Sequence, residues 1–419
     1  PLNTDRAKST TDTADLQFVA NRALAKLRAG DLSTTVKLGA TGSRLEATSI
    51  RAGVQSDSTL SRGEASAQVS FDLPLANRRK GVRAEIGDLS ANLNLAARQV
   101  SDLGTLATLG GGLNWSPVKP FSVILSATRQ ENAPSIAQLG NPLIVTPGSQ
   151  IFDYVRGTSV DVTRVSGGNP DLKGETRNVL RLGATYKPEK IQGLSLTANY
   201  SRTRIDNPVA SFPAATAAVE AAFPDRFTRD ADGVLTRIDT RPVNFEKRES
   251  EQIRWGFNLS RQIGKAPPPP PGGWRGRQGG GAERPASATP ETTPEASAAP
   301  TNAEAAPRPA ADSSAPAGDA PRFSGGGRGP GGGFGRGGGN PRATRLQLAL
   351  FHTLHLKEQV TVADGLPVLD LLDGDVLGSN GGQARHEVEA QAGITRYGLG
   401  ARLTANWKSA THVDGGIGG

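Results

Sequence analysis

A repeat of two in side-chain hydropathy runs through this sequence and limits its fold more than any other feature. Between residues 193 and 204, leucine, alanine and tyrosine alternate with serine, threonine and asparagine. The same alternation recurs over residues 64–75, 252–259, 387–394 and 399–408. Because successive side chains of a β-strand point to opposite faces, the pattern predicts strands with one apolar face.

The length of these segments separates two all-β folds. They run for roughly 9 to 15 residues, whereas strands of soluble proteins usually have about 5 to 6. The polar rows carry Gly, Asn, Gln and charged residues, as the wet lumen of a barrel does. Trp115, Tyr186, Trp255 and Trp407 lie near segment ends, where membrane barrels carry aromatic girdles. We therefore predict an antiparallel transmembrane β-barrel; a soluble β-sandwich is the alternative.

Composition excludes several other classes. The chain has 419 residues and no cysteine, which rules out disulfides and thiolate metal sites. No stretch approaches the roughly 18 consecutive apolar residues of a membrane-spanning helix. A formal charge of +8 is a small excess for this length and does not by itself indicate nucleic acid. The sequence lacks methionine, so we expect it to be cut from a longer gene product.

Short and long connections alternate between the predicted strands. The short ones are 28–32, 116–120, 187–193 and 396–398, and the long ones are 41–60, 131–177, 206–250 and 357–385. Outer-membrane barrels have short periplasmic turns and long extracellular loops. We therefore expect about 12 strands, the first running toward the periplasm, and further strands elsewhere to close the barrel.

The predicted organisation has four parts. Residues 1–15 are expected to form an N-terminal connecting segment. Residues 16–264 are expected to form barrel strands and loops, and residues 342–419 a C-terminally incomplete set of barrel strands. Between them, residues 265–341 hold a five-proline run followed by Ala/Pro-rich and Gly/Arg-rich stretches. Such a composition cannot form a core, so a disordered insert is predicted. Strand parity places this insert in the periplasm.

The Gly/Arg-rich part of the insert allows a second interpretation. Arg328 and Arg336, with Phe323 and Phe334 between and beside them, resemble arginine-glycine segments that bind RNA. The whole insert, however, carries about as many acidic as basic residues. We therefore expect no nucleic-acid partner, and a flexible spacer or periplasmic tether is the preferred interpretation.

Residues with catalytic or metal-binding chemistry are few. On a strand, a spacing of three places His352 and His355 on opposite faces, which argues against a shared metal ion. Glu387 and Glu389 share one face, where salt bridges to Arg402 or Lys408 on the next strand are expected. No nucleophile elbow or dinucleotide or phosphate-loop fingerprint is present. The sequence therefore predicts no enzyme, no cofactor and no metal.

Three segments resemble a known family, the last of them residues 194–206, which resemble the strand that follows the family's motif. Residues 131–139 resemble a strand end that enters a long loop. Residues 168–176 resemble the Asn-Pro-x-Leu-x-Pro-Glu motif, with Asn169, Pro170, Leu172 and Glu175 in place and Gly174 where proline is usual. Over roughly residues 60–260 and 342–414, the chain resembles the barrel of TonB-dependent outer-membrane receptors.

This resemblance implies a function that composition does not. Family members are barrels of about 22 strands, filled by a plug, that import scarce nutrients such as siderophores, cobalamin, saccharides or peptides. It implies the outer membrane of a Gram-negative bacterium as location. Outer-membrane lipid, a nutrient ligand and the TonB energy-coupling system are the implied partners, the last acting through a plug domain absent from this chain. The ligand itself is not readable from the sequence.

Residues 131–177 and 206–250 are the candidate ligand-binding loops, because long loops on a rigid scaffold are where binding residues concentrate. Two other functions are kept as alternatives: a passive porin-type channel, and a structural or adhesive outer-membrane barrel. A plug domain in the full-length protein would favour the transporter over the porin. Loop-mediated binding without an uptake defect on deletion would indicate the adhesive protein.

Overall fold

Long antiparallel strands make up most of the molecule. The computed structural model describes residues 6–51, 54–213, 215–263, 344–375, 377, 382–396 and 399–413. The strands are β1 (Arg6–Lys26), β2 (Asp31–Arg51), β3 (Val54–Ala76), β4 (Asp88–Val100), β5 (Gly104–Val118), β6 (Phe121–Asn132), β7 (Ile144–Asp153), β8 (Thr158–Ser166), β9 (Glu175–Tyr186), β10 (Leu194–Asp206), β11 (Val209–Ala210), β12 (Phe227–Arg229), β13 (Leu235–Asp239), β14 (Val243–Asn244), β15 (Lys247–Ile263), β16 (Thr344–Thr361), β17 (Leu369–Asp370), β18 (His386–Arg396) and β19 (Leu399–Lys408). The α-helices are α1 (Ile136–Gly140) and α2 (Ala217–Ala222), and short 3-10 turns span Ala84–Ile86 and Pro224–Arg226.

Twelve of these strands form one continuous sheet. Its order is β1-β2-β3-β4-β5-β6-β9-β10-β15-β16-β18-β19, and the short β17 adds to β16. Every neighbouring pair along this path is antiparallel. The predicted all-β architecture with about 12 barrel strands is thereby confirmed.

The pairing register keeps the two faces of the sheet chemically distinct. On the apolar face, Leu348 pairs with Leu259 on one side and Ala392 on the other. One residue along, Ala349 on the polar face pairs with Asn258 and Gln391. A slip of one residue would exchange the two faces, so the alternation also fixes the register.

Trp115, Trp255 and Trp407 of the apolar face lie on one cross-strand row. Trp255 pairs with His352, His352 with Val388, and Val388 with Trp407. In the other direction the row continues through Ala198, Ala184 and Val123 to Trp115. Trp115 sits near the turn after β5, whereas Trp407 sits near the opposite end of β19. The row therefore crosses the sheet diagonally with respect to the strand ends, as strands tilted in a barrel wall require.

Two expectations about the first strands are wrong. Residues 6–15, expected to be a connecting segment, belong to β1 and pair with residues 41–50 of β2. The long loop expected over residues 41–60 is instead a continuation of the β2–β3 hairpin, paired up to Arg51 and Val54. The segment is rich in Ser, Thr and Gly, which obscured the alternation, but Leu45, Ala47 and Ser49 still form one buried row.

At one end of the strands the connections 27–30, 119–120 and 187–193 are short, as expected, and the connection 77–87 is longer. The opposite end carries the long connections and also the short turn 101–103, which the sequence did not predict. The paired residues Ile263 and Thr344 lie at the end of the strands that carries the turns 119–120 and 187–193, because β15 runs in the same direction as β5 and β9. The insert 265–341 and the turn at 397–398 lie outside the described residues.

The apolar clusters lie in the long connections and at the sheet end from which they emerge. One contains Val162, Leu235 and Ile238, and the other contains Val243, Phe245, Val360 and Val362. No helix in the described residues has the length and apolar composition needed to cross a membrane.

Candidate functional site

The two candidate loops fold together into one body. Residues 144–166 of the first loop form the β7–β8 hairpin, and residues 227–239 of the second form the β12–β13 hairpin. β8 and β13 pair in parallel, giving a four-stranded sheet in the order β12-β13-β8-β7. We call residues 133–174 and 207–246 the loop domain. Sequence reasoning proposed both loops separately and did not foresee their pairing.

A small apolar core holds the loop domain together. Val162 from β8 and Leu235 and Ile238 from β13 are each at most 3% exposed. Phe212 packs against this cluster and also against the second cluster, around Val243. The second cluster includes Val360 at the end of β16. Phe212 therefore links the loop domain to the main sheet.

An ion-pair network centred on Arg229 joins the two loops. Its Nη1 donates to Asp153 Oδ2 at 2.6 Å and its Nε donates to Glu220 Oε1 at 2.7 Å. A second bond to each carboxylate, from Nη2, makes both contacts bidentate. The side chain of Asp153 is only 1% exposed. Arginine matches two planar carboxylates in this way because its guanidinium presents a fixed fork of donors.

The electrostatics of this network favour its charged form. Hydrogen bonds from Arg229 lower the pKa of the Asp153 carboxyl below its ordinary value, against the opposing effect of burial. Hydrogen bonds to Glu220 and Asp153 in turn raise the pKa of the Arg229 guanidinium. Both loops therefore remain linked by full charges at neutral pH.

The family-like motif also connects the two loops. Asn169 is 3% exposed, and its side-chain amide donates to the carbonyl of Pro242 at 2.9 Å. Its Oδ1 accepts from the amide of Asp171, which makes the turn that the Asn-Pro pair predicted. Just before it, a Cβ at Gly168 would lie 2.6 Å from the amide nitrogen of Asn141. Glycine is required there by this close approach.

The remaining motif residues have structural surroundings as well. Leu172 is buried, Pro170 is exposed, and Glu175 pairs with Asn132 across β6 and β9. The Nδ2 of Asn132 donates to Glu175 Oε1 at 3.3 Å. The motif thus sits where the first loop re-enters the sheet and stabilises that junction.

The β2–β3 hairpin supports the loop domain from beside it. Helix α1 packs on the buried side of this hairpin, where a Cβ at Gly140 would lie 2.8 Å from Leu45 Cδ2. Arg62, which is 6% exposed, donates from Nε and Nη2 to Asp102 and from Nη1 to the carbonyl of Pro134. The start of the first loop is therefore fixed to β3 by Arg62, which also binds the turn after β4.

The exposed surface of the loop domain contains one apolar tip. At the β7–β8 turn, Tyr154 and Val155 are 42% and 56% exposed. The turn is held by Arg156, whose Nη1 donates to the carbonyl of Asp232 in the second loop at 2.6 Å. An exposed aromatic residue on a fixed turn suits contact with a ligand, because little conformational entropy is lost on binding. Sequence reasoning did not single out these residues.

Ion pairs line the polar face of the main sheet. Lys408 pairs with Glu387 at 2.9 Å, as expected from the sequence. Glu389, however, pairs with Arg254 at 2.7 Å, so its partner lies two strands away on β15 rather than on β19. Arg254 also lies over the Phe351 ring, 4.8 Å from its centroid. These pairs satisfy one another and leave no free carboxylate pair for acid-base catalysis at this place.

The histidines are arranged partly as expected. His352 pairs with Trp255 on the apolar face and His355 pairs with Gln252 on the polar face, so the two lie on opposite faces. His386 was not linked to either by sequence reasoning, yet its Nδ1 lies 3.1 Å from His352 Nε2, with the rings stacked. Within the described residues, no group of three His, Cys, Asp or Glu is placed to hold a metal ion.

Comparison with known proteins identifies the family to which this architecture corresponds. The family model of the TonB-dependent receptor-like β-barrel matches residues 19–409. None of the curated proteins matches the chain. The solved structures that do match resemble it in fold at low identity.

Three solved structures illustrate the likeness. A variant of the ferric enterobactin receptor PfeA from Pseudomonas aeruginosa, in complex with enterobactin, has a TM-score of 0.50 at 13% identity, over 96% of this chain and 42% of that one. The siderophore receptor PirA from Acinetobacter baumannii has a TM-score of 0.47 at 11% identity, over 92% and 40%. The RagAB peptide transporter has a TM-score of 0.44 at 9% identity, over 96% and 41%. The chain therefore spans less than half of each of these solved chains.

Proposed function

Since the chain belongs to the TonB-dependent receptor β-barrel family, we propose that it forms part of the wall and the cell-surface loops of an active outer-membrane transporter. Receptors of this family are outer-membrane transport proteins. The observation that carries the proposal is the single loop domain, fixed to the sheet end opposite the turns 27–30, 119–120 and 187–193. Short turns face the periplasm in bacterial barrels, so the loop domain faces the cell exterior.

The loop domain is the proposed capture site for a scarce nutrient. Its two hairpins are joined by a core and by the Arg229 network, so the surface is preorganised before a ligand arrives. A ligand then meets a fixed surface, and less ordering entropy opposes its binding. The exposed turn with Tyr154 and Val155 is the proposed first contact. A siderophore, cobalamin, a saccharide or a peptide is the proposed ligand class.

The remaining partners follow from the same orientation. The apolar face of the sheet is proposed to contact lipid and the polar face to line the barrel lumen. Energy coupling is proposed to reach the barrel through a plug domain that contacts the TonB system. The insert 265–341 follows β15 and precedes β16 at the end of the strands that carries the turns 119–120 and 187–193, so we propose a periplasmic position for it.

Dependence of uptake on the proton-motive force tests the transport function. Cells that express the full-length protein should accumulate at least one member of a radiolabelled panel of ferric siderophores, cobalamin, oligosaccharides and peptides. A protonophore should abolish that accumulation, because active outer-membrane transport draws its energy from the inner membrane. Cells from which the gene is deleted provide the background.

Other outcomes of this experiment support the two rival functions. Uptake that continues at full rate in the presence of the protonophore would indicate a passive channel. Binding of a panel member at the cell surface with no uptake would indicate an adhesive or structural barrel. Either result would contradict active transport.

A further inference from the structure

The apolar face of the sheet contains a groove that ends in a group of arginines. The groove has a volume of about 720 Å³ and lies across β4, β5, β6, β9 and β10. Leu93 and Leu180 stand at its two sides, and the directly paired residues between them are Gly111 and Ala127. Small residues between large ones leave this hollow on the apolar surface.

The chemistry of the face changes abruptly at the end of this groove nearest the loop domain. Along β6, Ala127 is followed on the same face by Arg129, and along β10, Tyr200 is followed by Arg202 and Arg204. Arg129, Asn178 and Arg204 form one cross-strand row. Neighbouring strands are spaced by about 4.8 Å, so the Cα atoms of Arg129 and Arg204, two strands apart, are separated by about 10 Å.

The arginines keep donors for a further anion. Arg202 forms an ion pair with Glu251, with 3.1 Å between Nε and Oε1. Arg204 forms one with Asp206, with 2.9 Å between Nε and Oδ1. Arg129 has no ion-pair partner within the described part of the chain. All three side chains are exposed.

The other carboxylates at this level are already engaged. Glu249 is bound by Lys357 at 2.6 Å, and Glu131 accepts a hydrogen bond from the amide of Ala107 at 3.0 Å. The terminal nitrogens of Arg129, Arg202 and Arg204 therefore offer the groove a set of cationic donors. Guanidinium groups bind phosphate through two parallel hydrogen bonds.

From this juxtaposition we propose that the groove is a specific binding site for a phosphorylated, acylated lipid of the outer leaflet. The acyl chains lie over Gly111 and Ala127, and the headgroup phosphates bind Arg129, Arg202 and Arg204. The inference goes beyond transport and rests on the proposed function in two respects, the apolar face in lipid and the loop domain at the cell exterior. The arginines follow the last apolar side chain of this face by two residues on β6 and by two and four residues on β10, which suits the level of the headgroups.

Native mass spectrometry of the purified full-length protein tests the site. The probes are a diphosphorylated hexa-acyl glucosamine disaccharide (lipid A), the same lipid without phosphate, and inorganic pyrophosphate as a competitor. The wild-type protein should bind the diphosphorylated lipid about tenfold or more tightly than the dephosphorylated one, since charge-assisted bonds are lost in the latter. Pyrophosphate should not displace the bound lipid.

Two variants separate the headgroup site from the groove. The triple variant Arg129→Gln, Arg202→Gln, Arg204→Gln should lose the preference for the phosphorylated lipid. The variant Gly111→Leu should weaken both lipids about equally by filling the groove; a Cβ there meets only the Asn92 carbonyl oxygen, at 3.5 Å. The control Arg237→Gln removes an exposed arginine of the loop domain. It should change neither the affinity for the two lipids nor the preference for the phosphorylated one.

Three results would overturn the proposal: equal binding of the two lipids by the wild-type protein, an unchanged phosphate preference in the triple variant, or displacement of the lipid by pyrophosphate, which would indicate a free-anion site. A lack of nutrient uptake would bear on the transport function and would leave this binding measurement unaffected.

Discussion

Replacing Arg229 by alanine will weaken the junction between the two loops of the loop domain while the main sheet stays folded. The substitution leaves the carboxylate of Asp153, whose side chain is 1% exposed, without its cation. Breaking one partner out of a buried ion pair costs about 3 to 5 kcal/mol. Since about 1.4 kcal/mol corresponds to a factor of ten, hydrogen exchange of the β8 and β13 amides should accelerate by roughly a hundredfold or more. The measurement is hydrogen-deuterium exchange on the full-length protein at pH 7.

The choice of pH 7 for this experiment follows from the lowered pKa of the Asp153 carboxyl. The pKa of this carboxyl is lowered in the folded protein, so its contribution to stability is fully present above the ordinary value, about 3.9. That contribution is lost as the pH falls through the lower folded-state pKa. At pH 7 the network is complete. The matched control is Arg237→Ala, which removes an exposed arginine from the neighbouring strand. Equal exchange in the two variants would show that Arg229 does not join the loops.

A single arginine on the apolar face will destabilise the sheet in a membrane. Leu350 is the central residue of the apolar row from Leu346 to Leu354 on β16, and it pairs with Phe257 and Ala390. At the bilayer midplane, arginine on the lipid-facing side of a barrel costs about 2 to 4 kcal/mol. Leu350→Arg should lower the free energy of unfolding by this amount in urea titrations of the full-length protein in lipid vesicles.

The control for this prediction is the adjacent residue. Ala349 lies on the polar face between Asn258 and Gln391, so Ala349→Arg adds the same charge to the opposite side of the same strand. It should change the free energy of unfolding much less, because polar neighbours and water solvate the guanidinium. If the Ala349 variant were the less stable of the two, the faces would be assigned the wrong way round.

The main sheet was predictable because its information is local. Alternation along a strand such as β10 is visible in a dozen consecutive residues and requires no knowledge of the partner strand. Where the alternation is carried by Ser, Thr and Gly, as in residues 41–60, hydropathy no longer distinguishes strand from loop. The hairpin there is shown by its strand pairing up to Arg51 and Val54 and by the contact of α1 with Leu45.

The organisation of the candidate site was not predictable in the same way. Asn169 and Pro170 were recognisable as a turn, but the acceptor of the Asn169 side chain is Pro242, 73 residues away in sequence. Arg229 and Asp153 are separated by 76 residues, and neither is distinctive in the sequence. Contacts between two loops depend on the strand order of the sheet that brings them together. The sequence therefore identified both loops, and the structure showed that they act as one unit.

The assignment of the apolar face to lipid is tested most directly by a nitroxide scan across residues 346–351 of β16. Each position is replaced in turn by cysteine and spin-labelled in the full-length protein, reconstituted in lipid. Collisions with oxygen, which concentrates in the bilayer, are compared with collisions with a water-soluble nickel chelate. We predict oxygen accessibility maxima at residues 346, 348 and 350 and minima at 347, 349 and 351, the period of two set by the strand pleat. Maxima at the odd positions, or accessibility without a period of two, would contradict a barrel wall built from these strands.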